Sequence, residues 1–265
     1  MASSLMVRLF GCALVMVHSK SLLLIRHGQT FMNRYLDRHP FNDSGSWNDP
    51  GLFDTRLNIH GEQQARELRA IVDFENARLP IELVVTSPLR RAIDTAALAV
   101  PASIVRAPRL VLPTIAERRY LTSDVGTPRG ELEAMYPGTD FAALGDANAE
   151  WWYREETPGG ADAAAAQLRR ERKARGVDVF DPVDADAWGG GDGGLKQPLP
   201  FEPPAQFTAR LLAFREWLHY RPEQRICIVA HWGVLKSLTG KSFENCELVR
   251  CDERQLLDIV QTPVD

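Results

Sequence analysis

Ser21-Leu22-Leu23-Leu24-Ile25 runs directly into Arg26-His27-Gly28-Gln29-Thr30 near the start of the chain. A short apolar run without polar alternation is the pattern of a strand buried on both faces, as in a parallel sheet. It turns abruptly polar, as a core strand does where it opens into a functional loop. The same arrangement recurs far along the chain, where residues 226–230 (ICIVA) end in His231-Trp232-Gly233.

Between these two runs, residues 81–85 (IELVV) predict a second strand, followed by Thr86 and Ser87, with Pro88 where a helix begins. Residues 111–115 predict a third strand, with Glu117 just past its end. Helical spacing marks 61–76, with Ala65, Leu68 and Val72 on one face, and 207–220, with Leu211, Phe214 and Leu218. Alanine and apolar residues recur at helical intervals over 88–100, and 161–175 is rich in strong helix formers. Residues 31–58, rich in Asn, Asp, Gly and Pro, predict a long irregular loop, and 176–204, with GGGDGG and several prolines, a mobile one.

Strands alternating with helices predict an α/β fold, a three-layer α/β/α sandwich with a mostly parallel central sheet. In such sheets ligands bind beyond the carboxyl ends of the strands. His27, Ser87, Glu117 and His231 each follow a predicted strand, so one site draws on both ends of the chain. A single domain over 21–260 is therefore expected, with a variable cap at about 118–204.

Composition bounds the function. The 265 residues carry a formal net charge of −4, so no overall basic surface exists and nucleic acid is not an expected partner. An anion site must come from a local cluster of arginines. Cys12, Cys227, Cys246 and Cys251 include no CxxC pair, which favours reduced thiols over zinc or a disulfide scaffold. The apolar run at 5–17 is interrupted by Arg8 and too short to span a membrane, so no stable membrane insertion is expected. Residues 1–20 read as an apolar extension of a cytoplasmic protein, because no positive side chain precedes the run. A targeting segment, with Val17 and Ser19 before a cleavage point at Lys20, is the alternative.

The groups at the strand ends are Arg26, His27, Arg91, Glu117 and His231. Imidazoles and guanidiniums on one spot repel unless an anion sits between them, and phosphate matches guanidinium with bidentate hydrogen bonds. A neutral imidazole is a competent nucleophile toward phosphorus. A carboxyl group can protonate the leaving oxygen and then activate water. Fixed cationic donors can neutralise the charge that develops, so neither metal nor cofactor is expected.

Residues 26–30, 54–58 with Gly61, Gln64 and Ala65, 87–92 with Thr95-Ala96, and 229–233 form four blocks, covering roughly 21–133 and 205–250, that together resemble the histidine phosphatase superfamily, also called phosphoglycerate mutase-like. Arg26-His27-Gly28-Gln29-Thr30 is similar to its RHG(E/Q)T signature. Asp54-Thr55-Arg56-Leu57-Asn58 with Gly61, Gln64 and Ala65 is similar to D-x-x-L-T-x-x-G-x-x-Q-A. Ser87-Pro88-Leu89-Arg90-Arg91-Ala92 with Thr95-Ala96 is similar to S-x-L-x-R-A-x-x-T-A. Val229-Ala230-His231-Trp232-Gly233 resembles V-x-H-G-G, with Trp232 in place of a small residue. The resemblance implies that His27 is the phosphorylated nucleophile and that Arg26 and Arg91 bind the phosphoryl oxygens. It further implies that His231 is the second imidazole and that Asn33 contacts phosphate. Arg90, off the motif position, is expected at the surface.

Glu117 is the expected general acid, with Asp54, Glu62 and Asp124 as competitors. Glu117-Arg118-Arg119-Tyr120 is similar to the E-R-x-Y of glycolytic mutases, but Leu121-Thr122-Ser123-Asp124-Val125-Gly126 departs from their G-x-L-x-G-x-N-K. Asp124-Val125-Gly126-Thr127-Pro128 with Glu131-Leu132-Glu133 is closer to phosphatase-like members. A phosphatase acting on a small phosphorylated substrate is thus expected ahead of a mutase, and both ahead of an idle phospho-ligand module. The sequence carries no signal of oligomeric state.

The remaining features have plainer readings. Ser87 ends its strand, with a phosphate contact the lesser possibility. His18, His39, His60 and His219 lack a partner pattern, and Trp151-Trp152-Tyr153 reads as aromatic packing. The aspartates at 178, 181, 184, 186 and 192 read as a solvated loop, because Leu195 stands where a calcium loop starting at Asp184 needs an acid. No strand leads into the glycines of 189–194 and no Lys-Ser/Thr follows, so they are no phosphate loop.

Overall fold

The computed structural model describes residues 19–40, 48–155, 160–174, 195 and 199–257. Nearly all of the 1–20 extension, Cys12 and the Asp- and Gly-rich part of the 176–204 loop lie outside the described residues. Among the described residues, no helix is long and apolar enough to cross a membrane.

β1 (Ser21–Arg26), β2 (Leu83–Thr86), β3 (Arg109–Val111), β4 (Arg225–Ala230) and β5 (Leu248–Asp252) hydrogen-bond in the order β3-β2-β4-β1-β5. The first four run parallel, and β5 is antiparallel against β1 at one edge. Side chains alternate across a strand, so the continuous apolar runs of β1 and β4 feed two cores. Leu22, Leu24, Ile226 and Ile228 pack with Phe207, Leu211 and Phe214 of α6 (Pro204–His219) on one side. On the other, Leu23, Ile25, Cys227 and Val229 meet Ala65, Leu68 and Val72 of α2 (Ile59–Arg78) and Ala92 and Ala96 of α3 (Arg90–Ala99). The result is a mostly parallel sheet between two helical layers.

Register does the work of building the site. Ile25 lies beside Val229 and Arg26 beside Ala230, so two adjacent parallel strands end level and deliver His27 and His231 to one place. On the far side of β4, Thr86 lies beside Val229, which brings Ser87 to the same edge.

Three expectations are corrected. Residues 31–58 are not wholly irregular, because α1 (Phe31–Arg38) follows β1 directly. Its start is closed by a capping box: the Asn33 N–H donates to Thr30 Oγ1 at 3.0 Å and the Thr30 N–H donates to Asn33 Oδ1 at 3.1 Å. Those two bonds satisfy donors that an Asn- and Asp-rich composition alone did not reveal. The third strand sits earlier than 111–115, because Pro113 lacks the N–H a ladder needs and opens a 3-10 turn at Pro113–Ile115. Arg90 is 5% exposed rather than a surface residue, with its guanidinium in the field of Tyr136, Asp54 and Asp94. The short helices α4 (Arg129–Met135) and α7 (Trp232–Thr239), and the edge strand β5, were not expected; α5 (Ala161–Ala174) was.

The glycines of two motif blocks touch each other. A Cβ on Gly28 would lie 2.6 Å from the Gly61 carbonyl oxygen, and one on Gly61 would lie 2.0 Å from that of Gln29. Backbone therefore meets backbone where the loop after β1 crosses the start of α2. Gln64 Oε1 accepts the Gln29 N–H at 2.9 Å, and Asn58 Nδ2 donates to Gln29 Oε1 at 2.9 Å. The spacing of Gly61 and Gln64 is thus a clamp on the loop that carries His27.

Candidate active site

His27 and His231 face each other with ring centroids 5.1 Å apart and planes inclined by 58°. His27 Nδ1 lies 2.8 Å from the Gly28 carbonyl oxygen, which can only accept, so the ring proton sits on Nδ1. Nε2 is left with its lone pair. Burial, then the charges of Arg91 and Arg26, push the His27 pKa well below its ordinary value and keep the ring neutral.

His231 takes the opposite tautomer. Its Nδ1 accepts the Nε–H of Arg91 at 3.3 Å, so the proton sits on Nε2, which donates to Ser87 Oγ at 2.6 Å. Burial, followed by Arg91 and His27, lowers its pKa as well. Ser87 is fully buried, and its position after β2 serves His231 rather than the open site.

Both motif arginines line one cavity of about 270 Å³ together with His27, Asn33 and Glu117. Arg91 is held from three sides, because it also donates to Ser123 O at 2.6 Å and to Asp124 Oδ1 at 2.8 Å. Asp124 Oδ2 in turn accepts the N–H groups of Tyr120 and Leu121 at 3.1 Å each, which fixes the carboxylate that fixes the arginine. Arg26 donates through Nη1 to Phe243 O at 2.6 Å, whereas its buried Nε–H finds no acceptor among the described residues. An unsatisfied cationic donor at the wall of a cavity favours an anion there.

Glu117 lines the same cavity. Its Oε2 accepts the Gly233 N–H at 3.1 Å and its Oε1 the Arg118 N–H at 2.9 Å. Those bonds favour the carboxylate, yet burial, reinforced by the charge of Asp124, outweighs them and raises its pKa. A neutral histidine lowered in pKa and a carboxyl raised in pKa line one cavity, the pairing an acid-assisted nucleophilic displacement requires.

The competing acids have other partners. Asp54 is fully buried at φ 42° and accepts the Arg90 N–H at 2.9 Å and the Thr127 hydroxyl at 2.6 Å. Glu62 is paired with Arg66 one helical turn on, and Asp124 is committed to Arg91. Asn33 lines the cavity while its Oδ1 caps α1. His39 and His60 are exposed, His219 lies near Glu253, and Trp151 packs edge-on against Trp152.

Sequence reasoning missed what Gly233 and Asp124 contribute. A Cβ on Gly233 would lie 2.5 Å from Glu117 Oε1, so only glycine lets that N–H reach the carboxyl. Gly233→Ala is expected to displace Glu117 and lower kcat by about tenfold or more, with KM nearly constant. Steady-state kinetics with an alkyl phosphate check this, and an unchanged kcat contradicts it. The smallness of the residue after His231-Trp232 was the available signal.

The model of the histidine phosphatase superfamily (branch 1) matches residues 22–178. A Schizosaccharomyces pombe protein named "Probable phosphatase" is 31% identical over 126 residues, 47% of this chain and 53% of that protein. The match thus spans about half the length of that relative. An Arabidopsis thaliana "Phosphoglycerate mutase-like protein" is 26% identical over 248 residues, 92% of this chain and 81% of its own. Among solved structures, a mycobacterial glucosyl-3-phosphoglycerate phosphatase complexed with VO3 aligns over 88% of this chain and 92% of its own, at 22% identity and a TM-score of 0.41.

Proposed function

We propose that this chain, which belongs to the histidine phosphatase superfamily (branch 1), hydrolyses phosphate monoesters in two steps through a phosphohistidine on His27. The observation that carries the reading is the His27 Nδ1–H bond to Gly28 O, which leaves Nε2 unprotonated at a cavity lined by two arginines and a carboxyl.

In the first step the Nε2 lone pair attacks phosphorus in line, the bond from phosphorus to the ester oxygen breaks, and Glu117 gives that oxygen its proton. In the second, the Glu117 carboxylate takes a proton from water, whose oxygen attacks phosphorus. The N–P bond breaks and its electron pair returns to Nε2. Arg26 and Arg91 hold the phosphoryl oxygens, and His231, its ring 5.1 Å from that of His27, stabilises the transferring group. Asn33, on the same wall, offers a further amide contact. Guanidiniums carry the charge neutralisation, so the reaction needs no divalent metal.

Hydrolysis of 4-nitrophenyl phosphate is therefore expected to be unchanged by a chelator. Loss of activity in chelator, restored by a divalent ion, contradicts the metal-independent part of the scheme. Release of free phosphate from phosphoglycerates, without isomer formation, separates this reading from a mutase.

The pH profile has a definite sign. His27 must be neutral to attack, so kcat/KM rises with pH through a pKa below the usual histidine value. Glu117 must be protonated to act as acid, so kcat/KM falls as pH rises through a pKa above the usual carboxyl value. A bell on the acidic side of neutrality is expected for alkyl phosphates. A profile that still rises above neutral pH contradicts the assignment of Glu117.

A further inference from the structure

Trp232 is the part of the site that the chemistry above leaves unused. It opens α7, one residue before the Gly233 N–H that binds Glu117, at a position where the resembled block carries a small residue. Its side chain is 39% exposed and lines the same cavity as His27. The indole Nε1–H already donates to Ser242 Oγ at 2.9 Å, and Lys236 Nζ lies 4.5 Å from the ring centroid. Held at its polar edge and over one face, the ring has only π-surface left to offer.

The rest of that wall has the same character. Tyr120, 38% exposed, lines the cavity with Phe201 5.1 Å from its ring and the Arg118 guanidinium 4.9 Å from its centroid. Met32, Leu36, Leu121 and Phe207 add hydrocarbon to the same lining. A polyol seated there loses water from hydroxyls that face rings and alkyl chains, and each one left unpaired weakens binding. A flat apolar group loses nothing comparable and gains ring contact.

We propose that Trp232 is a specificity-determining residue, forming with Tyr120 a cleft that takes a planar aromatic leaving group, so that the favoured substrates are phosphate monoesters bearing an aromatic ring. The proposal rests on the hydrolytic reading above for the word "leaving", while the cleft itself stands on the cavity's own lining.

The test compares 1-naphthyl phosphate with phenyl phosphate, whose leaving groups are of similar acidity and differ in ring area. In the unaltered protein the naphthyl ester is expected to have the lower KM. Trp232→Ala is expected to raise the naphthyl KM by about tenfold, with kcat within about twofold and the inhibition constant of inorganic phosphate unchanged. Trp232→Phe is expected to restore most of the difference. Equal losses on both esters, or a fall in kcat at constant KM, overturn the proposal and reduce Trp232 to a support for Gly233. If no form of the protein turns over any ester, the hydrolytic reading fails, and titration with 1-naphthylmethylphosphonate and methylphosphonate decides the cleft. Weaker binding of the naphthyl compound alone in Trp232→Ala then upholds it, and equal binding by both proteins overturns it.

Discussion

Replacing His27 by alanine is expected to reduce hydrolysis of every phosphate monoester by at least about 10⁴-fold, because under the proposed scheme the variant has no group to take the phosphoryl and an attack by water must replace both steps. The arginines do not depend on His27 for their positions. Arg91 is held by Ser123, Asp124 and His231, and Arg26 by Phe243. Removing the imidazole leaves the anion cradle in place, so the affinity for inorganic phosphate should change little while turnover vanishes. Steady-state rates paired with a phosphate-binding titration check this. A variant that binds phosphate normally and keeps more than about a hundredth of its turnover refutes a covalent role for His27.

Glu117→Gln is expected to show the second-largest effect, and its signature is dependence on the leaving group. For an alkyl phosphate the departing oxygen needs a proton, and kcat should fall by roughly 10²–10⁴-fold. For 4-nitrophenyl phosphate the departing phenolate needs little help, so the histidine is still phosphorylated. Water activation has lost its base, however, and the second step becomes slow. The expected record is a burst of nitrophenolate followed by a slow steady rate, read by stopped-flow absorbance. Equal losses on both substrates, with no burst, contradict the assignment of Glu117 as acid and base. The substitution is not sterically disruptive, but an amide nitrogen placed against the Gly233 or Arg118 N–H sets donor against donor. A modest loss of thermal stability is expected with it.

The two core strands were readable because burial on both faces leaves little choice of residue. β1 is apolar from Leu22 to Ile25 and β4 from Ile226 to Ala230, and the polar residues that follow, Arg26-His27 and His231, mark where the sheet ends. β5 was not readable, since an edge strand carrying Arg250 and Asp252 has no such run. α1 was hidden by a composition typical of loops, and only the reciprocal bonds of Thr30 and Asn33 make it a helix. The burial of Arg90 comes from Asp54, Asp94 and Tyr136, and Asp54 and Tyr136 are far from it in sequence, so local pattern put it at the surface. Glu117 could be proposed from its place after an apolar run. What holds it is the Gly233 N–H, more than a hundred residues away, and that contact follows from tertiary packing alone. The tautomer of His231 belongs to the same class, since the distant Arg91 guanidinium sets it, whereas that of His27 is set locally by the Gly28 carbonyl.

The proposed chemistry requires a nitrogen–phosphorus bond at His27, and that bond can be sought directly. Glu117→Gln is mixed with 4-nitrophenyl phosphate, quenched in alkali during the burst, digested and sequenced by mass spectrometry. The prediction is a phosphoryl group on the peptide carrying His27, stable in alkali, lost in acid, and absent when His27 is also replaced by alanine. A phosphoryl group on a carboxylate or on Ser87, or none at all during active turnover, contradicts it.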